Sequence, residues 1–351
     1  MEQKREKDLS VETLRGVAII LVVMGHVIGS GPDGGMQVAD DSFLRHVYYS
    51  FIECLQMPLF TVISGWVYAL HPITTEKIKD FVGKKVIRII LPMIFVGAAY
   101  FILQYLVPGT NKKGDLSDIW KILVFPYTLF WYLPSLFLVF LVIAVIDSFH
   151  KMDTFINWAV IFCLSLAVLL LRDKVIPTDT LNYFSYKGAM YLLPFFIMGI
   201  GIMRFKDFFS NKTFITALII ILILGVIIQQ LAWYKVIEYS IRKNGGIGLF
   251  IGLIGTILLF RLRWKVNWLI WVGGFAYSIF LFHAFGTAGG RIIIEKLGIN
   301  SNWIIFGFSL AAGMCLPIIA EKILDRFGIT RMLFLGRNYH NAPKVINRIK
   351  A

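Results

Sequence analysis

A histidine in the first apolar block of this 351-residue chain has the side chain best placed to move a proton. His26 follows Arg15 by eleven positions. At about 100° per residue, eleven steps end about 20° beyond three full helical turns, so both side chains lie on one face, about 16 Å apart along the axis. A neutral imidazole keeps one ring nitrogen that can accept a proton. His26 is therefore a candidate general base for a hydroxyl nucleophile.

The face shared by Arg15 and His26 suits a long substrate with an anionic head. A cation at the mouth of a helix bundle would bind the head, and the imidazole deeper inside would meet the reactive end. Coenzyme A thioesters have this shape, with phosphates at one end and the thioester at the other. Two alternatives stay open: a histidine hydrogen-bonded between helices for packing, and an arginine that anchors a helix end at the membrane surface.

The composition places these residues in a membrane. Hydrophobic residues make up 58% of the chain and charged residues 16%, and the mean hydropathy is +0.73. The net charge of +14 comes from basic residues in short segments between apolar blocks, which indicates membrane topology rather than nucleic-acid binding. The three cysteines lie inside apolar blocks without paired spacing, so we expect neither a disulfide framework nor a metal site.

The hydropathy pattern predicts an all-α polytopic membrane protein of about ten spanning helices, forming one membrane-embedded domain over residues 1–351. Lysine and arginine are nearly twice as frequent on the N-terminal side of the membrane as on the other side, so we expect both termini in the cytoplasm and the protein in the cell membrane. The basic tail after Asp325 is expected to lie against anionic headgroups. The predicted spans are Leu14–Ser30, His46–Leu70, Val86–Val107, Leu129–Phe149, Phe155–Leu171, Ala189–Met203, Phe214–Trp233, Gly246–Phe260, Leu269–Phe285 and Trp303–Ile323.

Six short motifs occur in order along residues 14 to about 290. They are LRGVAIILVVMGH with Arg15 and His26, MPLFTVISGW, Lys85-Val-Ile-Arg88 before Leu91-Pro92, FWYLPSLF, PFFIMGIGI, and YSIFLFH ending at His283. With these motifs in this order the chain resembles the integral-membrane acyltransferase family 3, which includes bacterial O-acetyltransferases of surface glycans.

The resemblance implies a donor, a base and an acceptor side. It implies acyl-CoA, usually acetyl-CoA, as a donor bound from the cytoplasm, with the histidine of the first helix essential and no permanently bound cofactor. Arg15, Lys85 and Arg88 would bind the donor phosphates, although positive-inside anchoring explains Lys85 and Arg88 equally well. Lys85 stands where the family usually has arginine, which keeps the charge but loses the bidentate fork.

Three further residues in the outer halves of predicted spans are candidates for the site. Glu53 is expected to orient His26 or bind a sugar, because an unpaired carboxylate at that depth is costly; a solvated carboxylate is the alternative. Trp131 is expected to stack on an acceptor sugar, and His283 to face the same cavity as His26; an interfacial aromatic and a packing histidine are the alternatives. Ser64-Gly65 is expected to permit close helix approach.

The sequence thus predicts transfer of an acyl group, acetyl by family frequency, from cytoplasmic acyl-CoA to a hydroxyl of an extracytoplasmic carbohydrate. A direct transfer and a covalent enzyme intermediate both remain open. The expected partners are acyl-CoA, the carbohydrate and the bilayer, without nucleic acid. The oligomeric state and the identity of the glycan stay open. The alternative function is a transporter or flippase of a glycan or lipid-linked sugar, since intramembrane charges also line transport pathways.

Overall fold

The computed structural model describes residues 7–31, 33–111, 114–177, 179–239 and 242–339. These residues form helices, turns and loops, and no β-strand occurs among them. Lys4, Arg5 and the part of the basic tail beyond Tyr339 lie outside the described residues. The main helices are α1 (Leu9–Ile28), α2 (Phe43–Ala69), α3 (Thr75–Leu106), α4 (Tyr132–Ser148), α5 (Phe155–Val175), α6 (Tyr186–Arg204), α7 (Lys212–Trp233), α8 (Gly246–Leu262), α9 (Asn267–Gly274), α10 (Ala276–Lys296), α11 (Asn302–Leu324) and α12 (Gly328–Leu335).

The prediction of an all-α polytopic membrane protein is confirmed. In the described part of the chain, nine helical segments are long and apolar enough to cross a membrane. The apolar helix α8, with 17 residues, is shorter than these nine. Each predicted span overlaps one of these helices. Counted together with α8, these helices match the ten predicted spans. The end of the bundle that the charge bias predicts to face the cytoplasm is called the inner side below, and the opposite end the outer side.

Two predicted helix ends are wrong. The ninth span was expected to end at Phe285, but α10 continues to Lys296. Residues 284–290 are mostly small, which lowers the local hydropathy; in the structure they pack against α11, where small side chains let two helices approach closely. The third span was expected to start at Val86, but α3 starts at Thr75 because its inner end is amphipathic and basic, a pattern that a hydropathy window misses.

The contact between α2 and α6 fixes the centre of the bundle. A Cβ atom at Gly65 would lie 2.0 Å from the backbone oxygen of Phe196, and one at Gly199 would lie 2.1 Å from that of Val62. Neither position has room for a larger side chain, so the two backbones meet only because glycine stands at both. The expectation that Ser64-Gly65 permits close helix approach is confirmed.

The inner end of α1 is held by a capping carboxylate. Asp8 accepts a 3.0 Å hydrogen bond from the backbone N–H of Ser10 and forms a 2.9 Å ion pair with Arg263. Burial by itself raises the pKa of Asp8, but the hydrogen bonds from Ser10 and the charge of Arg263 lower it overall. The ionised cap at the positive end of the helix dipole fixes where α1 begins, and with it the height of Arg15.

Two buried arginines organise the opposite, outer surface. Arg45 is 5% exposed and donates to the carbonyl oxygens of Gly29, of Gly31 at 3.0 Å and of Val38 at 3.1 Å. Arg291 pairs with Glu295 at 2.9 Å and ties α10 to the loop after α3. These bonds hold the outer loops against the helix ends.

Candidate active site

A cavity of about 850 Å³ opens among the inner ends of the helices. Its size lies within the range of about 300–1,000 Å³ that is usual for small-molecule sites. The three residues predicted to bind donor phosphates, Arg15, Lys85 and Arg88, all line it. Arg15 precedes Lys85 by 70 positions and Arg88 by 73 positions in sequence, and the helix bundle brings the three residues to one chamber.

The walls of this inner cavity carry an excess of positive charge. Seven lysines and arginines line it, against three carboxylates, those of Glu12, Glu321 and Asp325. Such an excess in a confined, partly apolar chamber attracts an anion with several charges. The seven cationic residues are Lys7, Arg15, Lys84, Lys85, Arg88, Arg331 and Arg337.

A π-helical turn within α3 positions two of these cationic side chains. Val86–Ile90 forms a π-helical turn that contains Arg88 and directly follows Lys85. The guanidinium carbon of Arg88 lies 5.4 Å from the ring centre of Tyr277, whose hydroxyl donates to the carbonyl oxygen of Arg88. The Lys85 ammonium lies 3.5 Å from the ring centre of Phe140. Because π-turns often occur at functional sites, this local irregularity is consistent with a binding role.

Arg15 is already paired within its own helix. Its guanidinium Nη1 donates to both carboxylate oxygens of Glu12, at 2.8 and 3.0 Å. Both residues line the cavity, and the ion pair uses only one of the guanidinium nitrogens, Nη1. Arg15 is therefore oriented by Glu12 and can still donate to an anion in the chamber.

Aromatic side chains close the deep end of the inner cavity. Phe60, Tyr132 and Phe280 line it and contact one another, with ring centres 5.3 to 5.9 Å apart. Tyr132 directly follows the predicted acceptor-stacking residue Trp131, which is not part of the cavity lining. The chamber thus changes from basic at its mouth to aromatic at its end, which matches a molecule with an anionic head and an apolar tip.

A pair of histidines lies one ring beyond this aromatic end. The ring centres of His26 and His283 are 4.9 Å apart, and the ring of Phe280 lies 6.1 Å from that of His283. His283 was expected in the outer half of its helix; it lies near the middle of the α9–α10 segment because α10 extends to Lys296. It is close to His26 because α1 and the α9–α10 segment both rise from the inner side.

The hydrogen bonds of His283 define its tautomer. Its Nδ1 lies 3.0 Å from the carbonyl oxygen of Ile279 and 2.8 Å from that of Phe280. A carbonyl oxygen only accepts, so Nδ1 carries the proton and Nε2 presents a lone pair. His283 is fully buried, and its Nε2 has no hydrogen-bond partner in the described part of the chain. A buried acceptor beside His26 is suited to receive an N–H from that ring.

A polar cluster lies on the outer side of the histidine pair. The ammonium of Lys243 lies 5.9 Å from the ring centre of Trp131, and that ring is 6.5 Å from the ring of Tyr191. Lys243 also interacts electrostatically with His26 and with Glu53. Glu53 directly follows the π-helical turn Tyr48–Ile52 within α2. No hydrogen bond between Glu53 and His26 occurs among the described residues.

Two features of the site were missed by reasoning from sequence. Lys243 lies in the loop before α8 and is not part of any sequence motif. Only its proximity to Trp131 in the structure reveals it. Arg331 and Arg337 lie after the last span, in a tail interpreted as a membrane-surface segment. No group of three metal-binding side chains occurs in the part of the chain that the structure describes.

The fold and site define a polytopic helical membrane protein in which a basic inner cavity ends next to a histidine pair, His26 and the buried His283. A sequence profile described as "Acyltransferase domain" matches residues 8–322, nearly the whole helix bundle. The chain therefore belongs to this family of membrane acyltransferases, as the motifs indicated.

Two curated relatives carry the same printed name. "Nodulation protein NolL" of Mesorhizobium japonicum (strain LMG 29417 / CECT 9101 / MAFF 303099) is 25% identical over 231 residues, which cover 65% of this chain and 57% of that protein. "Nodulation protein NolL" of Sinorhizobium fredii (strain NBRC 101917 / NGR234) is 26% identical over 197 residues, which cover 55% of this chain and 48% of that protein. The matches thus span about half the length of these relatives. No solved structure matches the chain.

Proposed function

We propose that the protein transfers an acyl group, acetyl in the simplest case, from acyl-CoA on the inner side to a hydroxyl of a carbohydrate on the outer side. The observation that carries this proposal is the inner cavity, which is basic at its mouth, aromatic at its end, and one ring away from His26 and His283. Membership of the acyltransferase family supports the reaction class.

The donor enters the inner cavity with its acyl end first, so that its phosphates remain at the mouth. Arg15, Lys85 and Arg88 bind the phosphates at the mouth, and the pantetheine arm extends toward the aromatic end. The basic mouth favours a donor that carries several negative charges over an uncharged thioester. The thioester then lies against Phe280, where a shift of this ring opens the way to the histidine pair.

His26 acts as the base. Its ring nitrogen accepts the proton of the acceptor hydroxyl, and the hydroxyl oxygen forms a bond to the thioester carbonyl carbon. The carbon–sulfur bond then breaks, and the coenzyme A thiolate takes up the proton from His26. The Nε2 of His283 has no hydrogen-bond partner among the described residues and lies beside His26, so in the reacting state it would accept a hydrogen bond from the other nitrogen of His26. That bond would set the tautomer that leaves a basic nitrogen facing the acceptor.

The acceptor binds in the outer cluster. A sugar ring stacks on Trp131, as sugars do on tryptophan faces, and its hydroxyls bond to Glu53 and Lys243. This arrangement keeps donor and acceptor on opposite sides of the histidine pair. Direct transfer then needs no covalent enzyme intermediate.

Glu53→Gln is expected to raise the KM for the acceptor by about tenfold, because a charged hydrogen-bond acceptor for sugar hydroxyls becomes a neutral amide. The KM for acyl-CoA should not change, since Glu53 does not line the inner cavity. Steady-state kinetics with both substrates varied would measure the two constants. Glu295→Gln, which changes an outer carboxylate paired with Arg291, is the matched control. Wild-type kinetics in Glu53→Gln would remove Glu53 from the site.

The function itself is tested on the cell surface. Surface glycans from cells with the wild-type gene and from a deletion strain would be compared by NMR before and after mild alkali, which removes O-acyl esters. The proposal predicts that ester signals present in the wild type vanish in the deletion strain while the glycan itself stays at the surface. Loss of the glycan from the surface in the deletion strain would instead favour a transporter.

A further inference from the structure

The segment after the last span forms one wall of the inner cavity. The family profile ends at residue 322, yet Arg331, Leu335, Gly336, Arg337 and Asn338 all line the chamber. The helix α12 is amphipathic and packs on α3. This C-terminal strap, defined as residues 328–338, therefore belongs to the cavity although it lies outside the matched family domain.

A glycine in the left-handed backbone conformation brings the strap against the turn of α3 that contains Arg88. Gly336 ends α12 with φ +59°, and a Cβ atom there would lie 2.6 Å from the carbonyl oxygen of Arg88. Any other residue would be both strained and blocked at this position. Gly336 therefore lies against the backbone of Arg88, and the next residue, Arg337, lines the same cavity as Arg88.

Two carboxylates hold the Arg337 guanidinium at the cavity wall. Arg337 pairs with Glu321 at 2.5 Å and with Asp325 at 2.9 Å, and Asp325 also pairs with Arg331 at 3.1 Å. Burial by itself lowers the pKa of Arg337, but the hydrogen bonds and charges of Glu321 and Asp325 raise it overall. Arg337 is thus a fixed cation, held in place by acids that also line the chamber.

We propose that the C-terminal strap is part of the donor site and that Arg337, together with Arg88, binds a phosphate group of acyl-CoA, which replaces Glu321 as a partner of Arg337. The inference rests on the proposed function for its donor. A phosphate with two negative charges next to two guanidinium groups forms more charge-assisted hydrogen bonds than one carboxylate does.

The alternative is a strap that only closes the fold. In that case the ion pair between Arg337 and Glu321 only stabilises the cavity wall, and replacing either residue lowers the affinity for the donor to the same extent. In the donor role the two residues have opposite effects, because Arg337 binds the phosphate and Glu321 competes with it. The two roles are therefore separable by measuring donor affinity in both variants.

Affinity for acetyl-CoA would be measured by isothermal titration calorimetry on the full-length protein in nanodiscs. Arg337→Ala is expected to raise the Kd at least about tenfold, since a charge-assisted hydrogen bond is lost. Glu321→Gln is expected to lower the Kd, because the competing carboxylate is removed. Arg326→Ala removes an exposed charge from the same region outside the cavity and should leave the Kd unchanged.

Three outcomes would overturn the inference. Binding by Arg337→Ala equal to that of Arg326→Ala would remove Arg337 from the donor site. A Kd raised equally by Glu321→Gln and Arg337→Ala would show that the ion pair between the two residues has a purely structural role. A wild-type protein that does not bind acetyl-CoA would reject the proposed donor itself, and this failure is recognisable because it precedes any comparison of variants.

Discussion

Replacement of His26 by alanine is expected to lower kcat for acyl transfer by about 10²–10⁴-fold, because a general base contributes about that much. Binding of acyl-CoA should stay unchanged, since His26 does not line the inner cavity. The measurement is transfer of labelled acetyl from acetyl-CoA, with donor affinity determined separately on the same protein preparation. The loss should appear in kcat and not in the donor Kd.

The matched control for this experiment is His150→Ala. His150 is exposed on the loop after α4, where it pairs with Asp153 at 2.8 Å, far in sequence from the histidine pair. Its replacement should leave kcat at the wild-type value. A His26→Ala protein that binds acetyl-CoA and transfers acetyl at the wild-type rate would contradict the role of His26 as the base.

Replacement of His283 by alanine is expected to lower kcat by about tenfold or more, because it removes the hydrogen-bond acceptor that is proposed to set the tautomer of His26 in the reacting state. His283 acts here as a positioning residue, since it contacts His26 and not the cavity. The KM for donor and acceptor should stay near the wild-type values. His283→Gln, whose amide oxygen also accepts a hydrogen bond, should recover part of the lost kcat.

A merely structural histidine gives a different pattern. Thr287 is buried one turn further along α10, so Thr287→Ala reports how α10 tolerates a change at that depth. If His283→Gln were no better than His283→Ala while Thr287→Ala lowered kcat equally, packing of α10 and not a specific hydrogen bond would explain the effect. Equal thermal stability of the three variants would exclude unfolding as the cause.

Much of the fold follows from the sequence because each membrane crossing needs an apolar block of nearly fixed length. The errors occur where this relation fails. Residues 284–290 of α10 are small rather than strongly apolar, and the inner end of α3 is amphipathic, so both helices are longer than hydropathy indicates. Helix ends with such compositions are set by packing against neighbours, which a single-sequence pattern does not contain.

The candidate site was predictable only within single elements. The eleven-residue spacing of Arg15 and His26 relates two positions on one regular helix, and the motif around Lys85 and Arg88 lies on another. The structure adds the contacts between elements: His26 with His283, Trp131 with Lys243, and the strap with Arg88. These contacts depend on how helices and loops assemble, so neither periodicity nor local spacing reveals them.

The most direct test of the account is transfer across a sealed membrane. The protein would be reconstituted with its inner side facing the medium, de-O-acylated surface glycan would be trapped inside the vesicles, and acetyl-CoA labelled in its acetyl group would be added outside. The account predicts alkali-labile label on the trapped glycan with the wild-type protein and almost none with His26→Ala. Label that never reaches the glycan, or that reaches it equally with His26→Ala, would contradict it.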